Sequence, residues 1–264
     1  MSGILYYVAT PIGNLEDMTF RAVRILKDEV ELIAAEDTRH SMILLNHYGI
    51  HKPLTSYHDH NKQQKAPYLI SQLKEGKNLA LITDAGTPGI SDPGYHLLQM
   101  ALKEGIKTVP IPGVSAVATA LSVCGLPTDA FLFAGFIPRK TVARKKWLDG
   151  LKHLECTLVL YESPYRVKGL LEDIKEVLGN RDIVMARELT KKFEEFVRGP
   201  VEDILASLSK RTLKGEFTVL IRGNKESTSG VFQSDELPEF TDIPEDELEP
   251  GLIEDPDDNP PASD

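Results

Sequence analysis

The chain has 264 residues, 41% hydrophobic and 27% charged, which is enough for one large or two modest domains with buried cores. No apolar run is long enough to span a bilayer, and no basic leader with a cleavage site precedes the first strand-like segment. The net charge of −10 is uneven, because residues 226–264 hold 14 acidic and no basic residues. The remainder has 26 acidic against 30 basic residues, a net charge of +4, which is compatible with nucleic acid without requiring it.

The first half of the chain alternates strand-like and helix-like segments. Strands are predicted at residues 4–9, 31–35, 53–56, 79–82 and 107–111. Helices are predicted at residues 17–27, 41–48, 62–74 and 95–103, with Asp17 and Thr38 as the caps of the first two. This alternation predicts a mainly parallel sheet covered by helices on both faces.

A second α/β unit is predicted after a boundary near residues 112–127. A helix rich in small residues spans 114–123, and strands are expected at 131–135, 157–161, 181–186, 194–199 and 216–222. From about residue 224 onward the chain is acidic, contains proline and lacks periodicity, so we predict disorder. The expected organisation is therefore two α/β domains, 1–113 and 114–223, followed by an acidic tail, 224–264.

Residues 84–94 are the strongest indication of a binding site. They follow the buried strand 79–82 and contain three glycines, two prolines and two aspartates. Ligands of open α/β sheets bind at the carboxyl ends of strands, so we favour a site over an ordinary turn-rich connection. The loop at residues 10–14 also opens a helix but lacks the G-x-G-x-x-G spacing of dinucleotide-binding loops.

Other polar clusters allow more than one interpretation. Glu36 and Asp37 precede Arg39 at the end of a strand, where an ion pair is favoured over ligand binding for the isolated feature. His58 and His60 are too sparse to predict a metal site, so a polar loop is favoured and no metal is expected. The two cysteines, Cys124 and Cys156, lie in apolar contexts, which indicates buried thiols in a reducing cytoplasm.

Five basic residues stand out between residues 139 and 146. They are Arg139, Lys140, Arg144, Lys145 and Lys146. A solvated helix face is the default interpretation, with contact to nucleic-acid phosphates as the alternative.

Five ordered motifs together resemble the tetrapyrrole methylase-like (class III) methyltransferases. They are VATPIGNL from Val8, AEDTR from Ala35, DAGTPGISDPG from Asp84, IPGVSA from Ile111 and YESPYR from Tyr161. The resemblance covers roughly residues 4–223 and not the acidic tail. Within this class, the motifs resemble the branch that methylates the ribose 2′-hydroxyl of a decoding-centre cytidine in 16S rRNA.

The resemblance implies two α/β domains, with S-adenosylmethionine in the cleft between them, in a cytoplasmic homodimer that acts on the small ribosomal subunit. The cofactor-binding residues it implies are Pro11, Ile12, Gly13, Asp84, Ala85, Gly86, Thr87, Ile90, Ser91, Ser115, Ala116, Glu162, Leu189 and Thr190. Because Ala9 and Thr10 depart from the glycine-rich first loop of tetrapyrrole relatives, the first loop is the least specific of these assignments.

Methyl transfer to a hydroxyl needs alignment of the reacting atoms and a group that assists loss of the proton. The candidates for that group are Glu36, Asp37, His58 and Glu162, each of which also fits an ordinary ion pair or cap. Arg39, Arg166 and the basic residues between 139 and 146 are the expected RNA contacts. Two alternatives are an enzyme of the same fold that acts on a tetrapyrrole and a protein that senses S-adenosylmethionine or RNA without turnover.

Overall fold

Two five-stranded sheets organise the part of the chain that a computed structural model describes, residues 2–209 and 211–224. The disorder predicted for the acidic tail falls on residues 225–264, outside the described residues. Asn224, the first residue of the predicted tail, is among the described residues. Its backbone N–H donates to Leu154 O at 2.7 Å.

The first sheet is entirely parallel, as the alternating pattern predicted. Its strands are β1 (Ile4–Val8), β2 (Leu32–Ala35), β3 (Leu54–Ser56), β4 (Leu79–Ile82) and β5 (Lys107–Ile111), in the order β3-β2-β4-β1-β5. Every residue of β2 and β4 is buried, which is typical of strands covered on both faces. Because the strands are parallel, the loops at their carboxyl ends meet at one edge of the sheet.

Four helices cover the two faces of this sheet. They are α1 (Phe20–Arg24), which continues as a π-helical turn at Ile25–Glu29, α2 (Thr38–His47), α3 (Lys62–Lys74) and α4 (Tyr95–Lys103). Leu26 and Leu45 belong to the core on one face, whereas Leu69 and Leu97 belong to the core on the other. The bounds of α3 and α4 confirm the prediction.

The first two helices do not begin where the sequence predicted. Asp17 ends a short 3-10 helix (Leu15–Asp17), and Thr19 caps α1 by accepting from Ala22 N at 3.1 Å. Asp37, not Thr38, caps α2, since its carboxylate accepts from Arg39 N at 2.7 Å. Both segments contain neighbouring residues that are good caps, so local preference did not identify which one adopts the extended backbone of a cap.

The second sheet is mixed. Its strands are β6 (Phe131–Phe136), β7 (Thr157–Glu162), β8 (Asp182–Arg187), β9 (Glu195–Pro200) and β10 (Phe217–Ile221), in the order β6-β7-β10-β8-β9. Only β6 and β7 pair in parallel, and the other neighbours are antiparallel. The associated helices are α5 (Ala116–Val123), α6 (Thr141–Gly150), α7 (Val167–Leu178) and α8 (Val201–Leu208).

The two faces of the second sheet have different neighbours. One face packs against α6, α7 and α8, through residues such as Leu148, Leu170 and Val201. The other packs against α5 and receives Ile12 from the loop after β1. The two sheets are therefore in contact through a loop at the carboxyl edge of the first, while the domain division at residues 113/114 stays a prediction.

Cys124 and Cys156 are buried free thiols, as predicted. Among the described residues, no helix has the length and apolar character needed to cross a membrane.

Candidate active site between the two sheets

Backbone hydrogen bonds join the loops that follow β1 and β4. Thr10 N donates to Gly86 O at 2.8 Å, and Gly86 N returns a bond to Thr10 O at 3.1 Å. The buried Thr10 hydroxyl also donates to Thr83 O at 3.0 Å. These loops are neighbours because β4 lies between β1 and β2, which places two predicted cofactor loops side by side.

Residues 84–94 form the ordered loop that the glycines and prolines predicted. The Tyr7 hydroxyl donates to Gly94 O at 2.8 Å and holds the end of the loop. The Thr87 hydroxyl donates to Val114 O at 3.4 Å, which connects the loop to the segment before α5. Ser91 has a φ of +58°, a conformation that costs free energy for a residue with a side chain.

The second half of the chain closes against the loop after β1. A Cβ atom on Gly13 would overlap the side chain of Lys191, so only glycine permits this approach. Lys191 Nζ is in turn held by Glu188 Oε1 at 3.1 Å and Glu216 Oε2 at 3.0 Å. The predicted loop at residues 11–13 and the predicted segment at residues 189–190 therefore face each other.

An open depression of about 520 Å³ lies at this junction. Its lining residues are Asp17, Thr19, Pro112, Gly113, Val114, Ser115, Ala118, Thr119 and Thr190. Asp17 Oδ2 and the Thr190 hydroxyl are buried there without a hydrogen-bond partner. Since buried polar atoms ordinarily have partners, these two atoms fit a ligand that carries its own donors, such as the hydroxyls of an adenosyl group.

Of the predicted cofactor residues, Ser115 and Thr190 line this depression, and the others differ in their exposure. Pro11, Ile12 and Leu189 are buried, whereas Ala85 and Ile90 are exposed. Ser115 caps α5 without a side-chain hydrogen bond, and Ala116 is the first residue of that helix. Asp17, Thr19 and Thr119 were not predicted, because their positions on two helical segments gave no indication of a shared cavity.

Three carboxyl groups lie near one another in the segments that follow β2 and β4. Asp84 N donates to Glu36 Oε2 at 3.4 Å, and Asp37 N donates to Asp84 Oδ1 at 3.1 Å. Asp92 lies near Glu36 and Asp84, and its interaction with Tyr161 reaches the second sheet. We call Glu36, Asp84 and Asp92 the carboxyl cluster.

The carboxyl cluster has raised pKa values for two physical reasons. Burial raises the pKa of Glu36, and the nearby Asp84 carboxyl raises it further. Burial also raises the pKa of Asp84, although His40 acts in the opposite direction. Burial together with Glu36 and Asp84 raises the pKa of Asp92 to about 8. Asp92 was not among the predicted site residues.

Two other predicted candidates for proton transfer are already engaged. The Asp37 carboxylate accepts from Arg39 N and His40 N, and these hydrogen bonds lower its pKa. His58 Nε2 is 3.1 Å from the Asn61 side-chain amide, and His58 Nδ1 is buried without a partner. When Nε2 accepts from that amide, the ring proton of neutral His58 is on Nδ1, and the ring has no free acceptor.

Glu162 is the fourth candidate, and it forms a structural ion pair. Its fully buried side chain contacts Arg166 Nη2 at 2.9 Å and accepts from Ser163 N at 2.8 Å. Arg166 Nη2 also donates to Ile137 O at 3.1 Å. This pair joins the start of α7 to the segment that follows β6, so it fixes backbone geometry.

The basic residues predicted to contact RNA divide into two groups. Arg144 is 5% exposed, and its guanidinium contacts Asp173 Oδ2 at 2.6 Å. Burial in this ion pair removes Arg144 from any surface contact, so the expected RNA role is wrong for it. Lys145 is half-buried and pairs with Glu176 at 2.6 Å. Arg39, Arg139, Lys140 and Lys146 are exposed.

Among residues 2–209 and 211–224, no group of three or more His, Cys, Asp and Glu side chains is arranged to hold a metal ion.

Comparison with known proteins agrees with this geometry. The family described as Tetrapyrrole (Corrin/Porphyrin) Methylases matches residues 4–205. The chain is 52% identical over 224 residues to a Halalkalibacterium halodurans protein named ribosomal RNA small subunit methyltransferase I, covering 85% of this chain and 77% of that protein. A Bacillus subtilis protein of the same name is 46% identical over 222 residues, covering 84% of this chain and 76% of that protein.

Solved structures with low sequence identity share the fold. A uroporphyrin-III-C-methyltransferase from Thermus thermophilus has a TM-score of 0.56 at 23% identity, covering 83% of this chain and 94% of that chain. A diphthine synthase has a TM-score of 0.65 at 12% identity, covering 84% of this chain and 90% of that chain. The chain belongs to the tetrapyrrole (corrin/porphyrin) methylase family and is a methyltransferase that uses S-adenosylmethionine.

Proposed function

We propose that this enzyme methylates the ribose 2′-hydroxyl of a cytidine in the decoding region of 16S rRNA, within the small ribosomal subunit. The observation that carries the proposal is the depression with two unpartnered polar atoms, which is lined by segments from both halves of the chain. Relatives that are 46–52% identical are named for methylation of small-subunit rRNA, which supports this substrate.

The methyl donor is proposed to lie against the loops after β1, β4 and β5. Asp17 Oδ2 and the Thr190 hydroxyl are the atoms available to its polar groups, and the loop at residues 84–91 provides backbone donors and acceptors. When bound, S-adenosylmethionine supplies an electrophilic methyl group on a sulfonium cation. Members of the carboxyl cluster that are ionised favour a cation near them.

Glu36 is proposed to accept the proton that the ribose hydroxyl loses. Burial and the neighbouring Asp84 carboxyl raise the pKa of Glu36, which makes it a stronger base than an ordinary carboxylate. Glu36 accepts one long hydrogen bond, from Asp84 N at 3.4 Å, whereas Asp37 accepts from two backbone N–H groups and Glu162 is held by Ser163 N and Arg166. The proposed role of Asp37 and Glu162 is to hold the loops in place.

Arg39, Arg139, Lys140 and Lys146 are proposed to contact phosphates of the RNA backbone. All four are exposed, and Arg39 and Arg139 belong to segments that lead from β2 and β6 at the cleft. Arg166 and Lys145 are proposed to act by supporting these segments, because both are held in ion pairs. We further propose that the enzyme is cytoplasmic, as its buried free thiols indicate, and a homodimer, as the motif resemblance implies.

The direct test uses purified protein, labelled S-adenosylmethionine and small ribosomal subunits from cells that lack this activity. The expected result is label in 16S rRNA, on a nucleotide that resists alkaline cleavage because its 2′-oxygen carries a methyl group. Label on a base would overturn the ribose assignment, and label only on a porphyrinoid supplied in a parallel reaction would favour a tetrapyrrole substrate. Donor binding without transfer to either would favour a sensor.

A further inference from the structure

Three aromatic rings lie together on the side of the second sheet that faces the cleft. Phe133 and Tyr161 have ring centroids 5.0 Å apart in an edge-to-face arrangement, and Phe136 and Tyr161 are 5.6 Å apart. Phe133 and Tyr161 pack against the core that includes Ile12, whereas Phe136 is 38% exposed. The inner pair is explained by packing, but the exposed face of Phe136 is not.

The backbone around Phe136 is shaped by a bulge. The pairing of β6 with β7 shifts register between Phe133 and Gly135, and Gly135 has a φ of +61°. A Cβ atom on Gly135 would lie 2.5 Å from the Ser91 hydroxyl, so the strand touches the loop at residues 84–94. A depression of about 310 Å³ runs along this contact, lined by Ser91 and residues 132–135.

The strand is also fixed immediately after Phe136. Ile137 is buried, and its carbonyl oxygen accepts from Arg166, which the buried Glu162 holds in place. Phe136 is therefore an exposed aromatic ring on a backbone that is fixed on both sides. Such a ring presents a flat surface at little entropic cost on binding.

Polar groups near Tyr161 and in the segment after Phe136 indicate which ligand the ring would fit. Asp92 lies near Tyr161, and burial together with Asp92 raises the pKa of that phenol to about 12, so it stays a neutral donor. The exposed Arg139 and Lys140 follow Phe136 by three and four residues. An unpaired nucleotide has a flat base with polar edges and a negatively charged backbone. It is therefore complementary to an aromatic surface near hydrogen-bonding groups and cations.

We propose that the exposed face of Phe136 is the surface on which the unpaired base of the target nucleotide stacks while its ribose is presented to the donor. This inference rests on the proposed function, because it takes RNA as the substrate. Phe136 is then a substrate-binding residue, and Glu162 and Arg166 are the positioning residues that orient it.

The test compares Phe136→Leu and Phe136→Trp with wild-type protein. Leucine retains apolar volume without a π face, whereas tryptophan retains the π face. Phe131→Leu, an exposed aromatic at the opposite end of β6, is the matched control. Each variant is assayed for kcat and KM with small subunits, for S-adenosylmethionine affinity by calorimetry, and for molecular mass by light scattering.

Phe136→Leu is expected to lower kcat/KM for the subunit by about 5- to 150-fold, the range measured for loss of one base–aromatic stack. Phe136→Trp and Phe131→Leu are expected to stay within about threefold of wild type, and all variants keep donor affinity and mass.

Equal activity of Phe136→Leu and wild type overturns the inference. A halved mass overturns it too, since Phe136 then belongs to a contact between two copies. Wild-type protein that binds the donor without methylating the subunit overturns the proposed function itself.

Discussion

The two halves of the molecule differ in how their half-buried or buried carboxyl groups are compensated. In the first half, the carboxyls of Glu36, Asp84 and Asp92 lie near one another, and among the described residues no lysine or arginine forms an ion pair with them. In the second half, the buried Glu162 and Asp173 each contact an arginine, at 2.9 Å and 2.6 Å.

This difference separates structural from functional charge. Burying a carboxylate costs free energy unless a cation or hydrogen bonds compensate, so the paired acids of the second half are consistent with a structural role. The acids of the carboxyl cluster form no such ion pair and have raised pKa values, which is the property expected of groups that bind a cationic ligand or a proton. Substitutions on either side of this contrast are therefore expected to have different effects.

The largest effect is expected for Glu36→Gln. If Glu36 accepts the proton, this variant lowers kcat by about 10²- to 10⁴-fold, measured as methyl transfer to small subunits. Removing one of several mutually repelling charges leaves the free energy of unfolding unchanged or higher. Glu31→Gln, just before the opposite end of β2, is the control and is expected to retain full activity. Undiminished kcat in Glu36→Gln would exclude the proposed base.

The next effect is on stability. Arg144→Met leaves Asp173 buried without its main partner, which is expected to lower the free energy of unfolding by about 3 kcal/mol in urea titrations. This loss is at the low end of the range for breaking a buried ion pair, because Lys145 Nζ remains 3.7 Å from Asp173 Oδ1. The double variant Arg144→Met/Asp173→Leu is expected to recover most of the loss. Wild-type stability of the single variant would contradict the structural role.

A smaller effect is expected in the pH dependence of stability. The pKa of Asp92 is raised to about 8 in the folded protein, so between its unfolded value near 4 and pH 8 the folded state binds more protons. The free energy of unfolding therefore decreases as pH rises through this window. Asp92→Asn is expected to flatten the decrease between pH 5 and 8, as measured by urea titrations at each pH.

The control for this series is Asp149→Asn on the exposed side of α6, which is expected to leave the slope as in wild type. An identical slope in Asp92→Asn and wild type would show that the carboxyl is not held neutral by burial.

The smallest effect is expected for the exposed cations. Arg139→Gln/Lys140→Gln/Lys146→Gln is expected to reduce the slope of log K against log salt for subunit binding by up to about 3, one unit for each lost phosphate contact. Donor affinity stays unchanged. The matched control is Lys27→Gln/Lys103→Gln/Lys107→Gln, at exposed positions away from the carboxyl edge of the first sheet. Equal slopes for the two triple variants would remove these residues from the RNA interface.

Much of the fold could be read from local patterns. The apolar run of β4 and the helical periodicity of α3 predicted their bounds, since burial and repeat length are properties of the local sequence. The same patterns did not show that α6 turns Arg144 toward Asp173, 29 residues away, while Lys146 stays exposed. A run of basic residues in the sequence does not indicate which acidic side chains it will contact in the folded protein.

The sequence by itself determined the alternating first half, the loop at residues 84–94 and the set of motifs that identifies the family. Only the tertiary structure decided that β4 lies between β1 and β2, which joins Thr10 to Gly86 and brings Glu36 near Asp84. It also decided which charges are compensated and that Phe136 stands exposed at the cleft. Strand order depends on contacts between distant segments, and the protonation and exposure of each side chain follow from that order.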